Sequence, residues 1–325
     1  MIKRVAVLDD YHQVFDADPA IGRLRKRVPV DVFTEHRPAE RLLGYQAFIA
    51  LRERTRFDAA FFEALPELEL ISQTGHHVYH VDMEAATKAG VLVGLGLGQA
   101  GQGFSTAELT IGLMLAIMRR IPQTDRAIRE GEWPLVLGRT LRGKKLGILG
   151  LGRVGKEVAR LAQAFGMDVA AWGPTLTPER AAASGASYME LDLLLEACDL
   201  VSIHLTLSDT SRGLITEERL RRIGRSSWLI NTSRGAIIDE AALARVLQEG
   251  ALGGAALDVF TQEPLAPDSP LTKLDNVVLT AHLGWPADDT YRLMAEGTVE
   301  LIEAYMDGTY DNGLNPEALS VKPRR

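Results

Sequence analysis

Two groups of residues in this 325-residue chain could do chemistry. The first is the turn GLGRVG, in which Gly150, Gly152 and Gly155 follow the apolar run KLGIL and precede a helical pattern. In that context the first glycine makes a tight turn, the second lets the main chain approach a pyrophosphate, and the third lets the helix pack closely on the strand. The turn therefore predicts a dinucleotide site, with a glycine turn of an unrelated α/β protein as the alternative.

The second group lies where predicted strands end. Ligands of a doubly wound parallel sheet bind at the carboxyl ends of its strands, so these side chains are expected to gather at one edge. Together they supply an arginine that can bind a carboxylate, a carboxylate, and an imidazole that can transfer protons near neutral pH. Taken singly, each could be a surface ion pair or a structural histidine. The strand ends carry His204 in SIHLTL, Asn231, Thr232 and Arg234 in WLINTSRG, Asp258 and Glu263 in ALDVFTQEP, and His282 in VVLTAHLGW.

The position that usually selects the dinucleotide is uncharged. Gly173 stands where an Asp or Glu would bind the adenosine ribose hydroxyls, and the next arginine along the chain is Arg180. Neither the usual NAD pattern nor the usual NADP pattern is present. The expected cofactor is NAD or NADP with modest discrimination, and with a slight preference for NAD because no basic residue is adjacent.

Two alternating series of apolar runs and helical patterns must position these residues, which predicts an α/β fold with two doubly wound parallel sheets. The glycine-rich stretch at 94–103 separates them. The first series has predicted strands at 5–8, 30–33, 47–51, 68–72 and 91–93 and helices at 38–43, 58–65 and 82–89. The second has strands at 146–149, 168–172, 200–204, 228–231, 255–260 and 277–280.

The second series also contains residues that predict where helices begin. Ser105 and Glu108 have the spacing of a capping box, which predicts a helix beginning at Ser105. Thr216 and Asp239 are predicted caps of later helices. Further helical patterns run over 154–165, 178–183 and 288–306, and the connection 131–142, which contains Trp133, is predicted to be neither helix nor strand.

Composition narrows the class of protein. The chain is 46% hydrophobic and 24% charged, which is ordinary for a folded globular protein, and its formal net charge is -7, which disfavours nucleic acid and anionic membranes as partners. Cys198 is the one cysteine, so no intramolecular disulfide can form, which fits a reducing compartment. With no signal-peptide core and no long apolar run, the expected location is the cytoplasm.

Several motifs in order resemble the D-isomer-specific 2-hydroxyacid dehydrogenases. They are TAELT, GLGRVG followed by FGM, SIHLTL with DTSRGLI, NTSRG, DVFTQEP and TAHLGW, spanning roughly 105–285. The resemblance implies a flavodoxin-like substrate domain formed by residues 1–98 and 288–325, with a Rossmann dinucleotide-binding domain, residues 99–287, inserted between its two parts.

The resemblance also implies residue roles. Arg234 would bind the substrate carboxylate and polarise the carbonyl, His282 would pass the proton, and Glu263 would hold the imidazole. The implied cofactor contacts are Gly150, Gly152, Arg153, Val154 and Gly155 at the pyrophosphate, Gly173 near the adenosine ribose, and Leu205, Thr232 and Asp258 around the nicotinamide half, with Asp258 reaching its carboxamide.

In the first domain, Gly75 and His76 occupy the place where that family binds the substrate carboxylate through backbone N–H groups. His76, His77 and His80 crowd this loop. They could contact an anionic substrate or be solvated, and metal binding is a weaker third interpretation because their spacing is not a metal motif. No metal is expected.

The function implied is hydride transfer between a nicotinamide cofactor and a small 2-keto or D-2-hydroxy acid, with histidine as proton donor and acceptor. A phosphoglycerate dehydrogenase is included, although the chain ends soon after its last helix. The alternatives are a dinucleotide-sensing protein of the co-repressor kind, and a formate or phosphite dehydrogenase. The expected assembly is a homodimer through the dinucleotide-binding domain, with monomeric packing of the segment around Trp133 as the alternative.

Overall fold

The computed structural model describes residues 2–75, 77–96, 103–310 and 313–321. The chain divides into two compact units, one formed by Met1–Gly101 with Ala287–Arg325 and the other by Gln102–Pro286. The predicted boundaries fall after residues 98 and 287, and the first of them lies outside the described residues. The roles given to the two domains stay predictions.

The first unit contains a parallel sheet of five strands in the order β2-β1-β3-β4-β5. Val5 on β1 lies opposite both Val30 and Ala47, so β1 is covered on its two edges by β2 and β3. The strands are β1 (Val5–Leu8), β2 (Val30–Val32), β3 (Ala47–Ala50), β4 (Leu70–Gln73) and β5 (Leu92–Leu95), joined by α1 (Pro19–Leu24), α2 (Ala59–Ala64) and α3 (Met83–Lys88).

The second unit contains a parallel sheet of seven strands in the order β12-β11-β10-β9-β6-β7-β8. Its strands are β6 (Lys145–Leu149), β7 (Asp168–Trp172), β8 (Ser187–Tyr188), β9 (Leu200–Ile203), β10 (Trp228–Asn231), β11 (Gly254–Leu257) and β12 (Val277–Leu279). Both sheets are flanked by helices, and this confirms the predicted α/β class with two doubly wound sheets.

The helices of the second unit, apart from α5 (Ile121–Arg129), bury residues in the core of this unit, whereas α5 has no buried residue. The helices of this unit are α4 (Phe104–Arg119), α5, α6 (Arg153–Ala164), α7 (Pro178–Ala182), α8 (Leu191–Ala197), α9 (Glu217–Ile223) and α10 (Glu240–Gln248). On α6, for example, Val158, Ala159 and Ala162 are buried in one apolar cluster with Ile148 of β6. As predicted, Thr216 and Asp239 cap α9 and α10 by accepting from backbone N–H groups.

The chain then returns to the first unit with α11 (Asp288–Met306) and α12 (Ala318–Val321). Ser72 of β4 donates a hydrogen bond to the Thr298 carbonyl of α11 at 3.1 Å. Gly96 lies so close to α11 that a Cβ on Gly96 would be 2.5 Å from the Thr298 Cα. These contacts fix α11 against the first sheet.

Two helix predictions were wrong, one in the kind of helix and one in the residue at which the helix begins. The segment 38–43 holds only a short 3-10 turn, Ala39–Arg41, whose N-cap, Pro38, has no side-chain group to bind the backbone. The capping box was also wrong, since α4 begins at Phe104 and its N-cap is Gly103, which has a φ of 76° and no side chain to bind the backbone. Among the described helices, none combines the length and apolar character needed to cross a membrane.

Candidate active site

The turn after β6 has the geometry that its three glycines predict. Gly150 has a φ of 99°, and a Cβ there would lie 2.7 Å from the His204 carbonyl oxygen. A Cβ on Gly155 would lie 2.1 Å from the Gly150 carbonyl oxygen. Any side chain at either position would therefore push the turn away from β9 or push α6 away from the turn.

Gly152 differs from Gly150 and Gly155, because a Cβ on Gly152 would have no atom within 4 Å. The space beside it is open, and Gly152 caps α6 without any side-chain hydrogen bond. This open space adjoins the N-terminus of α6, which begins at Arg153, and a helix N-terminus favours an anion. These residues fit the pyrophosphate of a dinucleotide.

At the end of β7, Gly173 is not required by packing. A Cβ there would lie 3.5 Å from the Leu176 Cβ, which is ordinary contact. The guanidinium of Arg180 turns back over this loop and donates to the Thr175 carbonyl at 2.7 Å. A positive charge therefore lies beside the loop that follows β7, although no basic residue is adjacent to Gly173 in the sequence.

Three neighbouring strands carry the candidate catalytic residues. β10, β11 and β12 are adjacent and parallel, so their carboxyl ends lie side by side. Arg234 follows β10, Glu263 follows β11 and His282 follows β12. These three residues, which are far apart along the chain, therefore lie in a row along one edge of the sheet.

His282 and Glu263 form a pair, with Nδ1 and Oε2 2.7 Å apart and side chains 34% and 37% exposed. The other carboxylate oxygen, Oε1, accepts from the Phe260 N–H at 2.9 Å. Since an ionised carboxylate can only accept, Nδ1 carries the shared proton and Nε2 is left to exchange a proton with a ligand. His282 has a φ of 56°, a strained value of the kind that collects at functional sites.

A groove of about 610 Å³ opens beside this pair. Its walls are largely apolar and include Phe260, Leu265 and Leu279, with His282 and Glu263 at its rim. Apolar walls reduce the local dielectric and strengthen the interaction of the imidazole with its carboxylate.

The loop that carries His282 is held by Asp258, which is completely buried. Its Oδ1 accepts from the Thr280 hydroxyl at 2.6 Å and from the Leu283 N–H at 2.7 Å, and its Oδ2 accepts from the Gly284 N–H at 2.9 Å. Three of about four acceptor positions are therefore filled from within the protein. Asp258 therefore positions the loop, and its contact with the nicotinamide carboxamide stays a prediction.

We expect Thr280→Val to lower the free energy of unfolding by about 1.5–3 kcal/mol, because it removes a hydrogen bond to a buried charged carboxylate. Urea unfolding measures the loss. Thr272→Val is the matched control, since the Thr272 hydroxyl donates to the neutral Ser269 carbonyl on the surface. Equal losses in the two variants would show that Asp258 does not depend on Thr280.

Arg234 is exposed and makes no ion pair with any side chain in the described ranges. Its own Nη1 donates to the Ser233 carbonyl at 2.7 Å, and Asn231 holds its backbone by donating to the Arg234 carbonyl at 3.0 Å. Next to it, a Cβ on Gly235 would lie 2.0 Å from the Phe260 carbonyl carbon. The loops after β10 and β11 are thus in close contact, and the guanidinium is left available to a carboxylate ligand.

The other predicted cofactor contacts on this edge are anchored by neighbours. The Thr232 and Thr110 hydroxyls are 2.9 Å apart in a buried pair that ties the β10 loop to α4. The Leu205 carbonyl accepts from the Ser233 hydroxyl. Burial lowers the pKa of His204 to about 3, so this strand-end histidine is neutral and does not act as an acid near neutral pH.

In the first unit, the predicted substrate loop is described only in part. Gly75 follows β4, and His76 lies outside the described residues. The Nδ1 of His77 is 3.0 Å from Glu53, and the ring of His80 packs against Phe57. Burial lowers the pKa of His80. Within the described ranges no three His, Cys, Asp or Glu side chains come together to hold a metal ion.

Several residues that support the candidate active site were not predicted from the sequence. Thr280 acts through Asp258, and Glu240 accepts from the Thr261 N–H at 2.7 Å and so fixes the loop before Glu263. Ser202 lies 2.8 Å from the His204 Nε2. The only sequence signal for them was their closeness to the strand-end motifs.

Comparisons with known proteins agree with this geometry. A model of the NAD-binding domain of the D-isomer specific 2-hydroxyacid dehydrogenases matches residues 111–284. A glyoxylate reductase of Korarchaeum cryptofilum is 35% identical over 316 residues, covering 93% of this chain and 94% of that protein. A D-3-phosphoglycerate dehydrogenase of Archaeoglobus fulgidus is 41% identical over 241 residues, and the match covers 74% of this chain and 45% of that protein. The crystal structure of a phosphoglycerate oxidoreductase from Vibrio cholerae superposes with a TM-score of 0.80 at 32% identity, covering 95% of this chain and all of that one.

Proposed function

The chain belongs to the D-isomer-specific 2-hydroxyacid dehydrogenase family, and we propose that its substrate is a 2-keto acid of the size of glyoxylate or hydroxypyruvate. It is an NAD(P)-dependent oxidoreductase that acts on the CH–OH group of a small 2-hydroxy acid. The observation that carries the proposal is the row of Arg234, Glu263 and His282 on three adjacent strand ends. The glyoxylate reductases among its relatives support the choice of substrate size.

Arg234 binds the substrate carboxylate. Its planar guanidinium keeps its charge at any physiological pH and can donate two parallel hydrogen bonds to one carboxylate. That geometry orients the neighbouring carbonyl, and the positive charge stabilises the negative charge that develops on the carbonyl oxygen. For the first domain, residues 1–98 and 288–325, the role of Gly75 and His76 in binding the substrate stays a proposal from the resemblance, and His76 lies outside the described residues.

His282 donates a proton from Nε2 to the carbonyl oxygen during reduction and takes it back during oxidation. Glu263 holds the imidazole through Nδ1 and so fixes the orientation in which Nε2 faces the substrate. The nicotinamide, when bound to residues 99–287, supplies the hydride. Gly150, Gly152, Arg153, Val154 and Gly155 would hold its pyrophosphate, Gly173 would adjoin its adenosine ribose, and Leu205, Thr232 and Asp258 would surround its nicotinamide half.

A panel of 2-keto acids tests the proposal, with glyoxylate, hydroxypyruvate, pyruvate and phosphohydroxypyruvate each assayed with NADH and with NADPH. We expect turnover with at least one of the first two. Tight NADH binding without turnover on any member would favour a dinucleotide-sensing protein. Turnover of formate or phosphite with NAD⁺, and of no keto acid with NADH or NADPH, would place the reaction in another class.

The two reduced cofactors are expected to give kcat/KM values within about 100-fold of each other, a difference of roughly 2.7 kcal/mol or less. Gly173 supplies no carboxylate to repel a 2'-phosphate, while Arg180 places a positive charge beside the same loop. A slight preference for NADH is expected because the Arg180 guanidinium is already engaged by Thr175. A measured preference of about 10⁴-fold for either cofactor would contradict this account.

Gly173→Asp provides the internal control. The position has room for a Cβ, and the new carboxylate would accept from the ribose hydroxyls and repel the phosphate. We expect the ratio of kcat/KM for NADH over NADPH to rise by about 10-fold or more. An unchanged ratio would mean that Gly173 does not adjoin the ribose.

We also propose that the protein is a homodimer assembled through its dinucleotide-binding domain. The connection 131–142 exposes Trp133 by 80% and both Leu135 and Leu137 by 94%. Exposed apolar side chains in such a run are typical of surfaces that another protein covers. The buried Cys198, the chain's one thiol, suits a reducing compartment, and we propose the cytoplasm.

Replacing Leu135 and Leu137 together with serine is expected to convert the dimer into a monomer, because it removes the most exposed apolar surface of the connection. Sedimentation velocity measures the change. Leu43→Ser with Leu193→Ser is the control, since these two leucines are also exposed but lie elsewhere in the chain. A dimer that survives the first pair of changes, or dissociates equally with the second, would exclude this interface.

A further inference from the structure

The turn that follows β3 in the five-stranded sheet is held in a strained conformation. Arg52 has a φ of 58°, which is uncommon for a residue other than glycine. Both of its backbone groups are fixed by side chains at the end of β4: its N–H donates to the Thr74 hydroxyl at 2.9 Å, and its carbonyl accepts from the Gln73 side-chain amide at 2.8 Å. Strain that neighbouring groups maintain in this way is typical of functional sites. The turn therefore holds the next residue, Glu53, in a defined position.

Glu53 places its carboxylate beside the predicted substrate loop. A Cβ on Gly75 would lie 3.4 Å from the Glu53 Oε1. That oxygen is buried without a hydrogen-bond partner among the described residues, because the His77 Nδ1, 3.0 Å away, does not have the geometry of a hydrogen bond to it. A buried carboxylate oxygen without a donor is costly, which indicates a role other than stabilising the fold. The side chain is 19% exposed, so water screens its charge only in part.

Arg52 and Arg54, which flank Glu53 along the chain, are engaged by groups of the first unit. The Arg52 Nε is 3.6 Å from the Glu53 Oε2 in an ion pair. The Arg54 guanidinium donates to the Asp9 carbonyl at 2.7 Å and to the Tyr291 hydroxyl at 3.3 Å. Both guanidiniums are thus engaged before any substrate binds, and Glu53 withholds the charge of Arg52 from a ligand.

The charge balance at this edge of the five-stranded sheet is negative. β1, β3 and β4 are adjacent and parallel, so the residues that directly follow them lie along one edge. Within the first four residues after each of these strands, and leaving histidines aside, the chain has three carboxylates, Asp9, Asp10 and Glu53, and two guanidiniums, Arg52 and Arg54. A second negative charge on a bound substrate would therefore be repelled at this edge.

We propose that Glu53 is a specificity residue, which selects 2-keto acids whose remaining group is uncharged over those that carry a phosphate or a second carboxylate. The inference rests on the proposed function and on the proposed role of Gly75 in binding the substrate. An uncharged group, such as the hydroxymethyl group of hydroxypyruvate, does not interact with the carboxylate as a like charge. A phosphate meets both that charge and an arginine already paired with it. Specificity of this kind comes from a group that rejects the wrong substrate.

The test compares two pairs of 2-keto acids at about pH 8, where histidine side chains are ordinarily neutral. Hydroxypyruvate is paired with phosphohydroxypyruvate, and pyruvate with oxaloacetate, so that the second acid of each pair carries an extra phosphate or carboxylate. For each pair in which either acid is turned over, we expect the unaltered enzyme to favour the first by about 100-fold or more in kcat/KM. Each ratio compares two substrates of one protein, so a general loss of active enzyme does not change it.

Glu53→Gln is expected to lower these ratios by about 10-fold or more, chiefly through a lower KM for the acid with the extra charge. Glutamine has nearly the shape of glutamate, so the change removes charge rather than volume and releases Arg52 from its ion pair. Glu53→Asp keeps the charge and should keep the preference. Glu63→Gln, the matched control, removes the same charge from an exposed position of α2. Thermal unfolding checks that the variants fold, and Glu53→Ser replaces Glu53→Gln if that variant does not.

Three results would overturn this inference alone. The unaltered enzyme would use both acids of a pair equally well. Glu53→Gln would leave the ratios unchanged, which would assign the preference to the size of the added group. Glu63→Gln would shift the ratios as much as Glu53→Gln does, which would assign the preference to overall charge. No turnover of any 2-keto acid by the unaltered enzyme would instead contradict the proposed function, and this inference with it.

Discussion

Replacing His282 with asparagine is expected to lower turnover of a 2-keto acid by about 10²-fold or more. Asparagine can keep a hydrogen bond to Glu263, but it has no titratable nitrogen that can give a proton to the carbonyl oxygen. The dissociation constant of NADH should change little, because the glycine turn and the start of α6 lie at β6, which three other strands separate from β12. Steady-state kinetics and a fluorescence titration with NADH measure the two quantities.

The control for this change is His36→Asn, which alters an exposed histidine of the first unit and should leave turnover unchanged. Turnover near that of the unaltered enzyme in His282→Asn would remove His282 from the chemistry. A large loss of NADH affinity would instead mean that the loop after β12 is needed to form the dinucleotide site.

Replacing Arg234 with lysine is expected to raise KM for the keto acid and to lower kcat, with a combined loss in kcat/KM of about 10²-fold. Lysine keeps the positive charge, but its ammonium cannot donate two parallel hydrogen bonds in one plane. The carboxylate would remain attracted while the carbonyl loses its alignment with His282. Charge alone is therefore not expected to restore activity.

Arg212→Lys provides the comparison, because Arg212 is an exposed arginine of the same unit for which we propose no role in the reaction. It should leave both kinetic constants unchanged. If Arg234→Lys were equally silent with a good substrate, another residue would have to bind the carboxylate.

Much of this architecture could be predicted because the relevant physics is local or follows from the sheet. Gly150 and Gly155 are dictated by short contacts, with the residue after β9 and within the turn itself, while the space beside Gly152 is open as the predicted turn requires. The row formed by Arg234, Glu263 and His282 follows from parallel strands whose carboxyl ends share one edge. Neither inference needs a detailed tertiary structure.

The errors and omissions arose where the backbone conformation or contacts between distant residues decide the outcome. The Ser105 capping box failed because Gly103 takes the cap position with a left-handed backbone, which the pattern of side chains does not reveal. Asp258 appeared from the resemblance to be a cofactor ligand, but its three partners, Thr280, Leu283 and Gly284, lie more than 20 residues along the chain. Such a long-range contact leaves no periodic signal in the sequence.

Arg180 is a further case in which the fold changes a sequence-based interpretation. In the sequence Arg180 is the first arginine after Gly173, and the expected slight preference for NAD rested on the absence of an adjacent basic residue. In the structure its guanidinium returns to the Thr175 carbonyl, because Thr177 caps α7 and turns the helix start towards the loop. The expected weak discrimination between NADH and NADPH now rests on a placed positive charge as well as on the missing carboxylate.

The most direct test of the central claim follows the hydride and the configuration of the product together. The enzyme is incubated with hydroxypyruvate and NADH that carries deuterium at both C4 positions, and the product is examined by mass spectrometry and chiral chromatography. The account predicts glycerate with one deuterium at C2 and the D configuration. Product without deuterium, product of the L configuration, or no turnover of hydroxypyruvate or any other 2-keto acid would contradict it.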